Sequence, residues 1–573
     1  MRPGRKSWQI RRGWRALPLV VLLAAACGGD PGGDDQEAPV RVAGSSDGVE
    51  VPWNSGTLYF LLTDRFRNGD PTNDQALDRV RESAVLRGFE GGDLRGVLEK
   101  LEEGYFDALG VTAIWMTPFV EQVAGRVDEG TGATYGYHGY WARDWTRVDP
   151  ALGAEEDLRA VVDEAHRRGI RVIMDAVINH PGPVTPRDPA WPEAWVRSDP
   201  TCSFQDYETT VTCELVDGLP DLRTDSDARV ELPGFLRAKW EEEERLDDEL
   251  AELADFFDRT GYPRAPRFYV MKWLTDWVRE YGFDGYRVDT AKHFEEDVSL
   301  ELAQEAGAAY EEWKAGQDEL PQGDAPFWML AEVYNYDLEH GRDFDFGDRT
   351  VDFFAHGYDA LINFGFKGRA RQDLDATYAD YAEALRDGAL AGVTVVNYMS
   401  SHDDGAPYDP ERETPLEAGT RLLLAPGMAQ IYYGDELARP LVVDSAVGDA
   451  NLRSAMDWTS LDSLSHSRVL DHWRVLGRFR AAHPAVGAGA HTRLQERPYV
   501  FSRILTVAEG GEDRVVVALD AGNGTVRVPV GDVFQEGVLV RDAYSGRTGV
   551  VSEGAVSVET RSGVILLEAS GRR

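Results

Sequence analysis

Residues 283–293 read FDGYRVDTAKH, a short strand-like run that closes in four charged or titratable side chains, Arg287, Asp289, Lys292 and His293. Residues two apart on an extended chain point to the same side, so Arg287 and Asp289 stand together. A guanidinium beside a carboxylate favours the charged form, and it is expected to lower the pKa of Asp289. An ionised, oriented carboxylate is what cleavage of a glycosidic bond needs as nucleophile. The same pair also reads as a plain strand-end salt bridge, so the surroundings must decide.

Working outward, apolar runs recur at 57–63, 112–118, 170–178, 283–289, 327–333, 359–364, 393–400 and 428–433, separated by helix-sized segments such as 155–168. Strand–helix alternation implies a parallel sheet, and eight units imply an α/β fold of the (β/α)8 barrel type. In such a barrel the polar residues at the C-terminal ends of the strands are the ones to suspect of chemistry. The gap between the third and fourth strands is too long for one crossover and reads as an inserted subdomain over 181–268. Its first part, to about 224, is rich in Pro and Asp, and a helical stretch over 232–260 puts Leu246, Leu250 and Leu253 on one face. The acidic run at 241–244 is simplest as a solvated face. After about residue 490 the pattern changes to β-rich runs at 499–507, 513–519, 525–530, 537–542 and 556–567, joined by turn residues, which implies a C-terminal antiparallel β-sandwich.

The chain has 573 residues, enough for two or three domains, and a formal net charge of −40, which argues against nucleic acid and against an anionic membrane surface. Its first residues have the grammar of an export signal: a basic region, then an apolar run at 16–26 too short to span a bilayer. That run ends in Ala24-Ala25-Ala26-Cys27, which resembles a bacterial lipoprotein processing site with Cys27 as the lipidated residue. Ordinary cleavage and free secretion is the alternative. If Cys27 carries lipid, Cys202 and Cys213 remain as an even pair in an exported protein, read as a disulfide or as two free thiols. The expected division is a signal at 1–27, a flexible linker at 28–51, barrel at 52–180 and 269–488, the insertion at 181–268, and the sandwich at 489–573. No Cys/His cluster has the spacing of a zinc site.

Three acids fall at strand ends: Asp289 after the fourth, Glu332 after the fifth and Asp403 after the seventh. Retaining glycosidases need one ionised carboxylate and one protonated carboxyl across the scissile bond, and a third carboxylate can hold sugar hydroxyls as the ring flattens. Singly, each acid could be a helix cap; three on one rim are harder to dismiss.

The motifs around them carry a family resemblance. DAVINH at 175–180, LPDL at 219–222, GYRVDTAKH at 285–293, Glu332, SHD at 401–403, YHGYW at 137–141 and GMAQIYYG at 427–434 occur in order. The chain resembles the α-amylase family, glycoside hydrolase family 13, over about residues 55–570, most closely its bacterial periplasmic type. The resemblance implies Asp289 as nucleophile, Glu332 as acid/base and Asp403 as transition-state stabiliser, with Arg287 orienting Asp289. It implies sugar contacts from His180, His402 and Tyr140, with Lys292 and His293 on the leaving-group side and His138 and Trp141 as further contacts or core. Ser401 departs from the asparagine common in the family. Calcium is the implied cofactor, held by Asn179, Asp221 and the backbone carbonyl of His293; a second set, Asn68, Asp70, Asn73, Asp74, Gly91 and Asp93, resembles an extra calcium site of cyclodextrin glucanotransferases or is a solvated turn. The expected activity is hydrolysis of α-1,4-glucosidic bonds of starch, glycogen or maltodextrins by an exported enzyme acting as a monomer. A maltodextrin-active glucanotransferase or α-glucosidase of the same family, and a non-catalytic glycan-binding lipoprotein, are the alternatives.

Overall fold

The computed structural model describes residues 53–80, 82–507 and 511–570, so the signal, Cys27 and the whole of the expected linker lie outside the described residues. Eight parallel strands close into a barrel in chain order: β1 Thr57–Leu61, β2 Ala113–Met116, β3 Arg171–Ala176, β4 Gly285–Val288, β5 Trp328–Ala331, β6 Ala360–Asn363, β7 Thr394–Tyr398 and β8 Met428–Tyr432. Each lies inside an expected run but is shorter, because the chain leaves the ladder where the polar rim begins. Nearly every strand residue is buried, as expected for parallel strands covered on both faces. Register places Arg287 of β4 directly beside Asp175 of β3. A Cβ at Gly285 would stand 2.3 Å from the carbonyl oxygen of Trp328, so glycine is what lets β4 lie against β5.

The outer helices follow the apolar stripe. In α1, Glu155–Arg167, the buried residues Leu158, Val161, Val162 and Ala165 share one face, while three acids occupy its first turn and His166 and Arg167 its last, matching the helix dipole. Between β3 and β4 the chain makes a small antiparallel pairing, Val196–Arg197 with Asp221–Leu222, and Cys202 and Cys213 are joined in a disulfide. The helical stretch expected over 232–260 is two helices, α2 Gly234–Glu242 and α3 Leu246–Thr260. They break at Glu244, whose φ is +57°, and the break lets Arg245 turn inward onto buried Asp144 at 2.6 Å. The helix α4, Pro266–Tyr281, then leads into β4.

Two barrel helices, α5 Pro415–Leu423 and α6 Leu464–Ala482, lead to the C-terminal sheets. These comprise β9 Ala490–Gln495, β10 Tyr499–Thr506, β11 Glu512–Leu519, β12 Gly524–Pro529, β13 Leu539–Asp542, β14 Thr548–Val550, β15 Ala555–Thr560 and β16 Ile565–Ala569. One sheet has the order β9-β10-β11-β16-β13-β14, and β12 pairs with β15 to form the other. The single run expected at 556–567 is therefore two strands, reversed around Gly563, whose φ is +75°. Along β11 the side chains alternate: Val515 and Val517 join the large core shared with the barrel, whereas Val516 and Ala518 join a separate core between the two sheets. The period of two lets one strand serve both cores. Among the described residues, no helix is long and apolar enough to cross a membrane.

Candidate active site

At the C-terminal rim the strands deliver their polar residues to one point, and Arg287 is that point. It is buried, and its Nη1 lies 2.7 Å from Asp289 Oδ1 and 2.9 Å from Asp175 Oδ1. Its Nη2 lies 2.7 Å from Glu332 Oε2. One guanidinium therefore holds carboxylates from three neighbouring strands. Asp175, which sequence reasoning quoted within a motif without giving it a role, also accepts hydrogen bonds from Tyr140 Oη at 2.8 Å and Trp115 Nε1 at 2.9 Å. Its signal was available: an acid within an otherwise apolar strand, at the register position of Arg287.

Glu332 is gripped from a second side. The backbone N–H of Thr290 donates to its Oε2 at 2.9 Å. To aim that N–H, Thr290 adopts φ +49°, a left-handed conformation that a β-branched residue rarely takes. Backbone strain of this kind persists where the surroundings over-determine it.

The expected lowering of the Asp289 pKa is not what the structure gives. Burial pushes Asp289 up to about 6, with Arg287 pulling down and Asp175 and Asp403 pushing up. The guanidinium is as close as expected, but desolvation of a carboxylate among other carboxylates outweighs it. Burial pushes Glu332 further, to about 8, again against Arg287 and with Asp289 and Asp403 adding to the rise. The two carboxyls are thus set apart in the order that an acid and a nucleophile require. Asp403 opens to the cleft; burial acts to raise it, but His402, Arg287, Arg453 and the Ser401 hydroxyl together bring it below its ordinary value. Ser401 takes up the local hydrogen bonding, its Oγ lying 3.2 Å from Asp403 Oδ1.

The rings cluster beside the acids. His402 stacks on Tyr140 with centroids 5.3 Å apart and meets the edge of Phe60, which itself stacks on Trp115. His180 Nε2 stands 4.0 Å from Asp289 Oδ2. Burial lowers His180 to about 4 and His402 to about 3, so both are neutral near pH 7 and offer a flat face with a polar edge. His138 and Trp141 stand behind this group: His138 Nδ1 accepts from the Tyr140 N–H at 3.1 Å, and Trp141 packs edge-on against His138. Lys292 is at the margin, donating to the Tyr334 carbonyl oxygen at 3.1 Å, with its ammonium 5.3 Å from the Tyr334 ring centroid. His293 is anchored by Nδ1 to the Thr210 carbonyl oxygen at 3.0 Å, inside the disulfide-closed loop. Sequence reasoning missed Arg453, the last residue of a 3-10 helix beyond β8, Gly448–Arg453, whose Nε donates to the His402 carbonyl oxygen at 2.8 Å while its Nη2 pairs with Asp449 at 2.6 Å.

Among the described residues, no three His, Cys, Asp or Glu side chains converge as a metal cluster. The oxygen-rich sets are nevertheless brought together. Asn179 and Asp221 side chains lie 3.1 Å apart, and burial pushes Asp221 up to about 8. In the second set Asn68 meets Asp74 at 2.8 Å, and the buried Asn73 Oδ1 has no hydrogen-bond partner. Asp93 there is committed otherwise, accepting from the N–H groups of Gly69, Asp70 and Gly96 and so capping the following helix.

A sequence profile described as "Alpha amylase, catalytic domain" matches residues 60–474. The chain belongs to the α-amylase family. It is a glycoside hydrolase of that type, built on the family's barrel with an additional β-sheet domain at the C-terminus. The periplasmic α-amylase of Escherichia coli (strain K12) is 36% identical over 530 residues, covering 81% of this chain and 72% of that protein. A cyclomaltodextrin glucanotransferase of Geobacillus stearothermophilus is 26% identical over 517 residues, with 86% of this chain and 63% of that protein covered. An Anoxybacillus α-amylase of known structure superposes with a TM-score of 0.62 at 22% identity, covering 91% of this chain and all of that one, which shows the shared fold.

Proposed function

We propose that this amylase hydrolyses internal α-1,4-glucosidic bonds of starch, glycogen or maltodextrins with retention at the anomeric carbon. The observation that carries the reading is the shared clamp. Asp289 and Glu332 are held by adjacent nitrogens of Arg287, compatible with the roughly 5 Å separation of a retaining pair. Their pKa values nevertheless differ, about 6 against about 8. At pH 7 Asp289 is ionised and Glu332 carries its proton.

Glu332 gives that proton to the glycosidic oxygen as the bond to C1 breaks, and Asp289 forms a bond to C1. The leaving sugar departs, Glu332 takes a proton from water, and the hydroxide displaces Asp289 to restore both groups. Asp403 and the neutral His180 and His402 hold hydroxyls of the sugar at the cleavage point, with Tyr140 against its face and Arg287 orienting Asp289. Lys292 and His293 border the leaving-group side, and His138 and Trp141 support Tyr140. In this reading residues 52–180 and 269–488 are the catalytic barrel, 181–268 the insertion and 489–573 the C-terminal sandwich.

Calcium fits the first oxygen set. The Asn179 amide nitrogen donates to Asp221 Oδ1 at 3.1 Å; flipped, the same amide would present its oxygen beside that carboxylate, and two such oxygens can share one hard cation. Asn179, Asp221 and the His293 carbonyl would hold it, tying the insertion to the strand that carries Asp289; Asn68, Asp70, Asn73, Asp74 and Gly91 form the second set, with Asp93 as its brace. Such an ion would neutralise the buried charge of Asp221. Excess chelator is expected to lower the melting temperature; an unchanged melt with no metal by elemental analysis rules it out. The likeness to a periplasmic enzyme supports export, with lipid at Cys27 testable by mass spectrometry of the mature N-terminus.

A glucanotransferase reading rests on the likeness to such an enzyme, since the same acids serve either acceptor. A time course of products from soluble starch, maltoheptaose and pullulan separates hydrolysis from transfer. Asp289→Asn and Glu332→Gln are each expected to lose at least about three orders of magnitude in rate while remaining folded. Near-full activity in either folded variant would contradict the assignment, and with it the proposed reaction.

A further inference from the structure

Away from the rim, a cleft of about 730 Å³ lies between α5, α6 and the turns of the C-terminal sheets, and none of the residues assigned to the active site lines it. Its size is that of a ligand site. The half-buried ring of Tyr544 forms part of its wall and is fixed in place by an otherwise unused buried histidine. His472 of α6 has Nε2 2.8 Å from the Leu416 carbonyl oxygen and Nδ1 2.7 Å from the Tyr544 hydroxyl. A carbonyl only accepts, so Nε2 carries the hydrogen, Nδ1 is the acceptor and the Tyr544 hydroxyl donates. Burial lowers His472 to about 4, so this neutral arrangement persists across the working pH range.

Charges of both signs face the same space. Arg547 is held by Glu559 at 2.6 Å, but among the described residues Arg468, Arg561 and Asp520 have no ion-pair partner. Free guanidiniums beside a free carboxylate and a fixed ring suit a ligand that donates and accepts at once. Vicinal hydroxyls of a pyranose do this, and their ring presents an apolar face to an aromatic side chain. An anion would instead meet Asp520 and the field of a chain with a net charge of −40.

We propose that this cleft is a second, non-catalytic binding site for a stretch of neutral α-glucan, with Tyr544 against a sugar face and Arg468, Arg561 and Asp520 on its hydroxyls. The proposal rests on the glucan reading of the active site. It gives the C-terminal domain a role in holding polymer while the barrel cuts it.

The test uses the full chain. In a Glu332→Gln background, which cannot consume the probe, calorimetric titration with maltoheptaose is expected to resolve two classes of site. Adding R468A and R561A should remove one class. With Glu332 restored, the Arg pair should weaken apparent affinity for soluble starch about tenfold, since a tethered polymer loses its second contact. The same variant should cleave a short chromogenic maltotrioside as the parent does. Both arginines are exposed, so the variant is expected to fold, and Tyr544→Ala supplies a second probe of the cleft. Maltoheptaose binding in the Glu332→Gln background that the Arg pair leaves unchanged, or starch affinity unchanged in the Arg pair, overturns the proposal. So does inorganic phosphate binding that the pair abolishes while maltoheptaose binding persists. Failure of the parent to cleave the maltotrioside would instead overturn the active-site reading, whereas a maltoheptaose class lost with the Arg pair reports on this cleft alone.

Discussion

Arg287 and Arg480 are both fully buried guanidiniums of the same barrel, one at its C-terminal rim and one beneath its N-terminal end. Arg287 faces Asp175, Asp289 and Glu332. Arg480, from the last turn of α6, faces no carboxylate within ion-pairing distance among the described residues. It donates to the carbonyl oxygens of Gly56 at 3.0 Å, Asn54 at 2.9 Å, Leu423 at 3.2 Å and Ala425 at 2.8 Å, and to that of Gly427. Carbonyl dipoles satisfy N–H donors without cancelling charge, so burial, with Arg503 nearby, lowers Arg480 to about 9. At the rim the carboxylates push Arg287 the other way, well above its ordinary value, although burial opposes them. The contrast separates two uses of a buried cation. Below, it stitches the loops entering β1 and β8 to the last barrel helix; above, it sets the ionisation of the groups that react.

The largest effect should follow from removing the upper cation. Arg287→Met leaves Asp289 without its principal lowering influence, so the Asp289 pKa rises above about 6 and the nucleophile is protonated at pH 7. A kcat loss of about a thousandfold or more is expected, with the acid limb of any residual activity moved to higher pH. Arg287→Lys should recover part of the charge but not the two-nitrogen clamp. An unshifted acid limb would show that Arg287 is, like Arg480, only structural. Arg480→Met should do the reverse: stability falls by about 3–5 kcal/mol as buried carbonyls lose their donor, and kcat per folded molecule stays near that of the parent. A native melting curve for that variant would dissolve the contrast from the other side.

Much of the upper region is legible in the sequence. The eight strands follow from apolar runs alternating with helix-sized segments, the place of Asp289, Glu332 and Asp403 from the polarity at strand ends, and the Arg287–Asp289 neighbourhood from the period of two. The clustering of Tyr140, His180 and His402 comes through the family motifs. The direction of the Asp289 shift is not legible, because it depends on how many other carboxylates fold into the same dry volume. Arg480 escapes because its partners are backbone carbonyls, which every residue has and no side-chain pattern announces; Arg453 pairs locally with Asp449, but its tie to the site runs through the His402 carbonyl, which is equally silent in the sequence. The break at Glu244 is hidden because Arg245 turns inward to Asp144, about one hundred residues away in the chain. Strands β9 and β14 escape because their side chains are mostly half-buried or exposed and show little alternation.

A smaller effect is expected where barrel and C-terminal sheets meet. His483, just after α6, lies with Nδ1 2.9 Å from Asp513 Oδ1 and Nε2 2.8 Å from Glu568 Oε2. Burial opposes its charge, but the two carboxylates raise it to about 9. A folded-state pKa above the ordinary value contributes stability that is complete below about pH 6.5 and is lost as pH rises through about 9. His483→Gln should therefore cost about 2–3 kcal/mol at pH 6 and little at pH 10, read from melts at both pH values. An equal cost at both would mean packing, not charge, holds this junction.

The smallest effect isolates how the upper region holds Glu332 in addition to Arg287. Thr290 sits at φ +49° with its Oγ1 buried and unpartnered, so its side chain offers no visible compensation for the strained backbone. Glycine relaxes that conformation and alanine does not, so Thr290→Gly should be more stable than Thr290→Ala by about 1 kcal/mol. The glycine should also hold its N–H less firmly against Glu332. That N–H favours the ionised carboxylate, so weakening it raises the Glu332 pKa and moves the alkaline limb of kcat above about pH 8. A limb moved in the glycine variant but not in alanine ties the strain to the acid. Equal stability and equal limbs in both would leave Arg287 as the sole determinant of the state of Glu332.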